Sequence, residues 1–180
     1  MDKKKQFILD EIYTLSWSAG VSRSIIYKNK NIDETKRNEL KKFVKDMINN
    51  NYIKEYSNRV NDSKHMSNIE EISLQTSNQF GDILYCNRFR IGTSQKILNL
   101  YLKYLWCIGD LYKPPHCPID RIILDQLKKI CQKSDKKSFS VSWTKLDEIK
   151  DYKKIIELAK KIVDEDLSDW ELNYWSSIRK

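Results

Sequence analysis

The sequence predicts an all-α fold, a compact bundle of about seven or eight helices in one domain spanning residues 1–180. Three observations carry this. The 180 residues include only four glycines and three prolines, too few breakers for the many turns of a sandwich or barrel. Apolar residues recur at helical spacing along most of the chain, and strict alternation is confined to Phe139–Trp143. A chain of this length buries a sizeable core by itself, and no internal repeat or low-complexity linker divides it.

The elements follow in order. Lys3–Leu15 places Phe7, Ile8, Ile12 and Leu15 on one face, and Ser16–Ser22, with Gly20, is expected to break that helix. Arg23–Lys30 is short and reads as strand or helix, helix ahead of strand. Asp33 is a suitable N-cap for Glu34–Asn49, whose stripe is Leu40, Phe43, Val44, Met47 and Ile48, and Asn49-Asn50-Asn51 is expected to end it. Tyr52–Asn68 is polar and poorly patterned, which predicts an exposed loop. Ile69–Tyr85 reads as helical with a break near Gly81. Ser94–Ile108 is apolar nearly all round, the mark of a helix buried by its neighbours, and Gly109 ends it. Pro118 suits the first turn of a helix with Ile119, Ile122, Ile123, Leu127 and Ile130 on its core face. Lys128–Lys137 forms a basic tail and loop, and Phe139–Trp143 a short extended piece. Thr144 with Asp147 resembles a capping box for a helix to Val163, and Ser168 with Glu171 one for Asp169–Ile178.

Lysine and arginine outnumber aspartate and glutamate 33 to 25, a formal charge of +8. Such a balance points to a polyanionic partner, nucleic acid ahead of a membrane surface, although a lysine-rich surface also serves solvation alone. The N-terminus has no long apolar stretch with a small-residue cleavage site, and no apolar run approaches a membrane span; Asn99 and Lys103 interrupt the best candidate. A cytoplasmic protein is expected. Cys86, Cys107, Cys117 and Cys131 form no CxxC pair and read as buried thiols, with no disulfide framework, no zinc site and no cofactor expected.

The richest stretch runs from Arg88 to Leu127. Arg88, Arg90, Ile91, Gly92, Thr93 and Ser94 form a basic, glycine-containing turn that opens a buried helix. Unpaired amides at a helix start, a glycine that lets a ligand approach and two arginines are the parts of a phosphate cradle. The same residues also make an ordinary turn capped by Thr93 with its arginines in solvent. Lys96 follows within the first turn; a desolvated lysine there is a candidate amine nucleophile, and otherwise one surface lysine among many. Pro114, Pro115 and Pro118 brace a loop carrying His116, Cys117 and Asp120. Asp120, near a helix start, is a candidate for stabilising a developing cation or orienting an amine, and alternatively a cap. His116 is a candidate contact to a base or phosphate. Cys117 as a nucleophile would need a base; His116 is adjacent in sequence, but adjacent side chains usually point apart and no third orienting residue is visible. Trp17, Trp106, Trp143, Trp170 and Trp175 offer stacking faces, most at core spacing.

Gly92-Thr93-Ser94-Gln95-Lys96, the apolar helix that follows, and Pro118-Ile119-Asp120 before a second apolar helix together resemble the central part of the helix-hairpin-helix DNA glycosylases, in their 8-oxoguanine glycosylase branch. The likeness covers about forty residues of the chain. It implies a glycosylase-like helical fold in which Gly92 and Thr93 hold a DNA phosphate, Lys96 attacks the sugar's anomeric carbon after the base is flipped out, and Asp120 assists the attack and the cation that forms. Arg90 stands where the first hairpin glycine belongs. Register on Gly92 places Ser94 at the lysine position, so Lys96 comes two positions later, about 200° further round a helix.

The expected function is therefore that of a DNA-binding protein resembling a base-excision DNA glycosylase, with or without lyase activity. Its expected partner is a duplex with a modified or flipped base, contacted by Arg88, Arg90, Gly92, Thr93, Ser94 and His116. The alternatives are a non-catalytic nucleic-acid-binding module, or a helical protein-interaction subunit of a defence or toxin–antitoxin system, with Trp170 and Trp175 as its face.

Overall fold

The computed structural model describes residues 2–178. Seven α-helices account for most of them: α1 (Lys3–Val21), α2 (Glu34–Met47), α3 (Asp62–Phe80), α4 (Ile91–Cys107), α5 (Arg121–Ile130), α6 (Ile149–Ile162) and α7 (Leu167–Ile178). No strand forms among the described residues; a single antiparallel bridge joins Tyr27 to Leu84. The all-α bundle is as expected.

Helix α4 is the axis of the molecule. It packs on α1, α3 and α6 and on a short turn at Trp143–Lys145. Ile97, Leu98 and Leu102 are fully enclosed. Removing a Leu or Ile side chain from water contributes about 2 kcal/mol, so these three residues stabilise the bundle substantially. Gly109, at φ +80°, follows its end. The helix begins at Ile91, three residues ahead of the expected Ser94.

Several boundaries differ from the sequence reading, each for a tertiary reason. Helix α1 runs unbroken through Gly20 to Val21. A Cβ at Gly20 would lie 2.4 Å from Ile97 Cγ1, so this glycine lets α1 and α4 approach closely. Arg23–Lys30 is irregular, held to the 83–85 turn by Lys28 N–H donating to Ile83 O and Tyr85 N–H donating to Ile26 O. Helix α2 continues into a π-helical turn, Ile48–Tyr52, where the three asparagines were expected to stop it. Tyr52–Asn68 is no exposed loop: Tyr56, His65, Met66 and Asn68 are buried, and α3 starts at Asp62 behind an Asn61 cap. Phe139–Trp143 is irregular and joins no ladder. Helix α6 begins at Ile149, behind Glu148, so Thr144–Asp147 caps nothing. Ser168 donates to Pro114 O and Glu171 binds Lys103, so they form no capping box either. Cys86 and Cys107 are exposed; only Cys117 and Cys131 are the buried thiols expected of all four.

Gly92 is the tightest of the glycines. Its amide donates to Leu146 O at 3.0 Å, and a Cβ built there would fall 1.8 Å from Trp143 O. The obstacle is backbone, which cannot rotate away. Gly92→Ala is expected to destabilise the protein by about 3 kcal/mol or more, read as a lowered urea midpoint with an unchanged slope.

Candidate functional site

Lys96 lies in the second turn of α4, on the stripe that also carries Leu100, Lys103, Tyr104 and Cys107. Asp120 is the N-cap residue of α5, one position outside the helix where the sequence reading placed it inside. Its Oδ1 accepts the Ile123 N–H at 3.0 Å, and its Oδ2 accepts from Lys96 Nζ at 2.7 Å. The sequence-predicted pair is thus brought together, and the register offset from Gly92 does not keep Lys96 away. Both side chains are nearly enclosed, 10 % and 14 % exposed.

They line one end of a cleft of about 520 Å³ between the end of α1, the stripe of α4, the start of α5 and α7. That volume is in the range of small-ligand sites. Trp143, Tyr104 and Trp175 supply aromatic walls, and Arg23 stands at the α1 side. A second ion pair sits further along: Lys103 Nζ donates to Glu171 Oε2 at 2.6 Å. Burial raises the Glu171 carboxyl above its ordinary value, against the opposing pull of Lys103. The cleft therefore presents two ammonium groups and two carboxylates among aromatic rings. Sequence reasoning missed Lys103 and Glu171; the available signal was a lysine inside a helix too apolar to be exposed.

The geometry of the pair is set by Gln95. Its Nε2 donates to Ile119 O at 2.7 Å and Gly92 O at 3.0 Å, and its Oε1 accepts the Ile119 N–H at 3.1 Å. One side-chain amide thereby satisfies both backbone groups of the residue preceding Asp120. Asn99, one turn on, donates to Cys117 O and to Tyr152 Oη. Together they hold the 117–119 segment against α4 and fix where Asp120 emerges.

Behind this clamp runs a buried polar chain. Asn99 Oδ1 only accepts, so His65 Nε2 donates to it at 2.7 Å, leaving His65 Nδ1 to accept from Tyr56 Oη at 2.7 Å. Tyr152 Oη accepts from Asn99 and donates to His116 Nδ1 at 3.0 Å, so His116 Nε2 carries its hydrogen toward Asp62 Oδ1, 3.4 Å away. His116 is fully buried and its ring meets His65 edge-on, with centroids 4.7 Å apart. It reaches neither the cleft nor solvent, which removes it as a base or phosphate contact. Burial pushes the Cys117 thiol well above its ordinary range, so it is inert as a nucleophile.

The expected phosphate cradle is occupied by the protein itself. Gly92 faces the Trp143 carbonyl, Thr93 and Ser94 are buried, and Ser94 Oγ donates to Arg90 O. The Arg88 guanidinium donates to Asp147 O and Arg90 Nη1 to Thr144 O, and both arginines pair with the Asp147 carboxylate. These groups fasten the 142–148 segment over the start of α4. Neither of the two sequence readings of this turn fits: it grips no open phosphate site, and its arginines are engaged. Trp170 and Trp175 are partly buried against the core, with Trp170 stacked on Tyr174. Among the described residues no group of three or more His, Cys, Asp or Glu is placed to hold a metal, and no helix is long and apolar enough to cross a membrane. Comparison with family models, with curated proteins and with solved structures finds no match.

Two outcomes are expected from the polar framework. Gln95→Leu, close in size, strands the Ile119 N–H and C=O and should cost about 3 kcal/mol in urea unfolding. Burial holds both histidines below their ordinary 6.5. As pH falls through about 6.5 the unfolded chain takes up protons that the fold refuses, so stability is full above that pH and declines below it. The urea midpoint should be flat above about pH 7 and should fall on acidification, with a limiting slope of about 1.4 kcal/mol per pH unit for each histidine; His116→Gln should remove one histidine's share.

Proposed function

We propose that this protein excises an altered base from DNA, with Lys96 as the amine nucleophile and Asp120 as its carboxylate partner. The observation that carries the reading is the 2.7 Å contact of Lys96 Nζ with Asp120 Oδ2 in the lining of an aromatic-walled cleft. The residue types and their order along two consecutive helices match what the glycosylase resemblance implies, and the net charge of +8 favours a polyanionic substrate. In this reading a base is extruded into the cleft against Trp143, Tyr104 and Trp175. Lys96 passes a proton to Asp120, and its nitrogen bonds to the sugar C1′ as the C1′–N glycosidic bond breaks. The electron pair leaves with the base, which takes up the proton held by Asp120. The carboxylate so restored offsets the positive charge left on the Lys96 nitrogen bonded to the sugar.

One departure from the resemblance follows from the geometry. The turn that would grip phosphate is filled by Trp143 and Leu146, so in this reading the strand is held elsewhere. The same observation, with the closed ion pair, favours a second reading in which Lys96 and Asp120 lock α4 to α5 in a non-catalytic nucleic-acid-binding module.

Purified protein incubated with duplexes carrying 8-oxoguanine, uracil, hydroxymethylated bases or abasic sites, with borohydride present, separates the two. Catalysis predicts a trapped covalent adduct on at least one substrate. The adduct should be absent in Lys96→Gln and should form about 100-fold more slowly in Asp120→Asn. Absence of strand cleavage, base release and adduct on every duplex rejects the enzymatic reading, and DNA binding unaltered by Asp120→Asn then supports the binding module.

A further inference from the structure

Several of this protein's cations are already engaged by named partners. Arg88 and Arg90 are held by Asp147 and by backbone carbonyls. Lys113 bridges Asp166 and Asp169, and Lys160 bridges Asp62. A basic concavity whose cations outnumber its carboxylates three to one shares lining residues with the cleft. It is a groove of about 650 Å³ along α5, lined by Arg23, Arg121 and Lys128 against one carboxylate, Asp125. Arg121 and Lys128 share that carboxylate at 3.6 and 3.7 Å, distances too long for strong hydrogen bonds, and the Arg121 side chain is 80 % exposed. Surface pairs of this kind hold their partners weakly. Ser140, Ser142 and Thr144 add hydroxyls to the opposite wall.

The groove and the cleft are neighbours. Arg23 and Trp143 line both. Residues 121, 124, 125 and 128 recur at i, i+3, i+4 and i+7, so one face of α5 runs along the groove and its N-terminal end carries Asp120 at the cleft. Arg121 and Lys128 stand two turns apart, about 10 Å along the axis. A strand rises about 3.4 Å per nucleotide, so this span takes roughly three nucleotides.

We propose that the Arg23–Arg121–Lys128 groove binds the phosphodiester backbone of a DNA strand and leads that strand to the Lys96–Asp120 cleft. This rests on the base-excising reading for its substrate, and it names the surface that takes the place of the occupied Gly92 turn. Cationic groups over a length of backbone, backed by hydroxyls, bind phosphate without reading sequence, and their contribution weakens as salt rises.

The test is anisotropy of fluorescein-labelled single-stranded DNA, duplex DNA and RNA of the same sequence, titrated with the full chain over a range of salt. Arg121→Ala with Lys128→Ala should lower the slope of log affinity against log salt by about 2. Arg121→Glu with Lys128→Glu should weaken DNA binding at least 30-fold. Lys36→Glu on α2, remote from the groove lining, should change it less than twofold. The Arg121 side chain is exposed and that of Lys128 half-buried; a glutamate at 121 suits the helix dipole and one at 128, in the last turn, opposes it, so circular dichroism melts should shift by no more than about 4 °C. DNA affinity and salt slope unaltered in both double variants would overturn the groove, as would the absence of binding to any oligonucleotide or tighter binding to RNA than to DNA. Borohydride trapping reads the cleft separately: an adduct with no groove dependence leaves the chemistry standing without the track, and groove-dependent binding with no adduct leaves the track without the chemistry.

Discussion

The pairing of Gln95 with the backbone of Ile119 is the constraint on which the rest of the site depends. Helix α4 is buried nearly all round, so any polar group on it must find a partner inside the protein or cost a few kcal/mol. Gln95 finds both a donor and an acceptor on a single residue of the neighbouring segment. That match is directional and leaves little freedom in how the 117–119 segment lies. Asp120 follows directly, with one oxygen taken by the first turn of α5 and the other turned to Lys96. A hydrophobic contact in place of Gln95 would hold the helices together without specifying the angle at which Asp120 emerges.

Polar residues in the core are unusually consequential here. Asn99, His65, His116, Tyr56 and Tyr152 form one hydrogen-bonded chain behind the clamp, and its ends meet Asp62 and, through Asn68, Glu55. Each member has its tautomer or rotamer set by the next, so the chain acts as a scaffold more than as a reservoir of charge. The two ion pairs of the cleft are different. Buried pairs add little net stability because desolvation offsets their attraction. Lys103 and Glu171 occupy positions where apolar residues would pack at no such cost, so packing alone does not account for them.

The start of α4 shows how one local arrangement admits opposite uses. A glycine and two arginines at a helix N-terminus have the composition of an anion site. Here the same donors meet backbone oxygens of the 142–148 segment and the carboxylate of Asp147. The glycine is needed because a carbonyl approaches it, with no ligand in between. The choice between ligand and self is made by a segment some fifty residues away in the chain, and local sequence carries no trace of it.

Sequence by itself determined the helical class, the burial of α4 and the candidacy of Lys96 and Asp120, because few breakers, all-round apolarity and a braced carboxylate are local properties. It left unread whatever depended on partners distant in the chain. Tyr52–Asn68 was legible only as polar, since a side chain satisfied inside the protein and one satisfied by water look alike in a sequence. Gly20 passed for a breaker because Ile97, which it admits, lies on another helix. Glu171 passed for part of a capping box because Lys103, its partner, belongs to α4. Tertiary structure alone decided that Lys96 reaches Asp120, that His116 faces inward and that the arginines are spent, because each is settled by which chain segments meet, and polar groups leaving water bind whatever the packing brings within hydrogen-bonding distance.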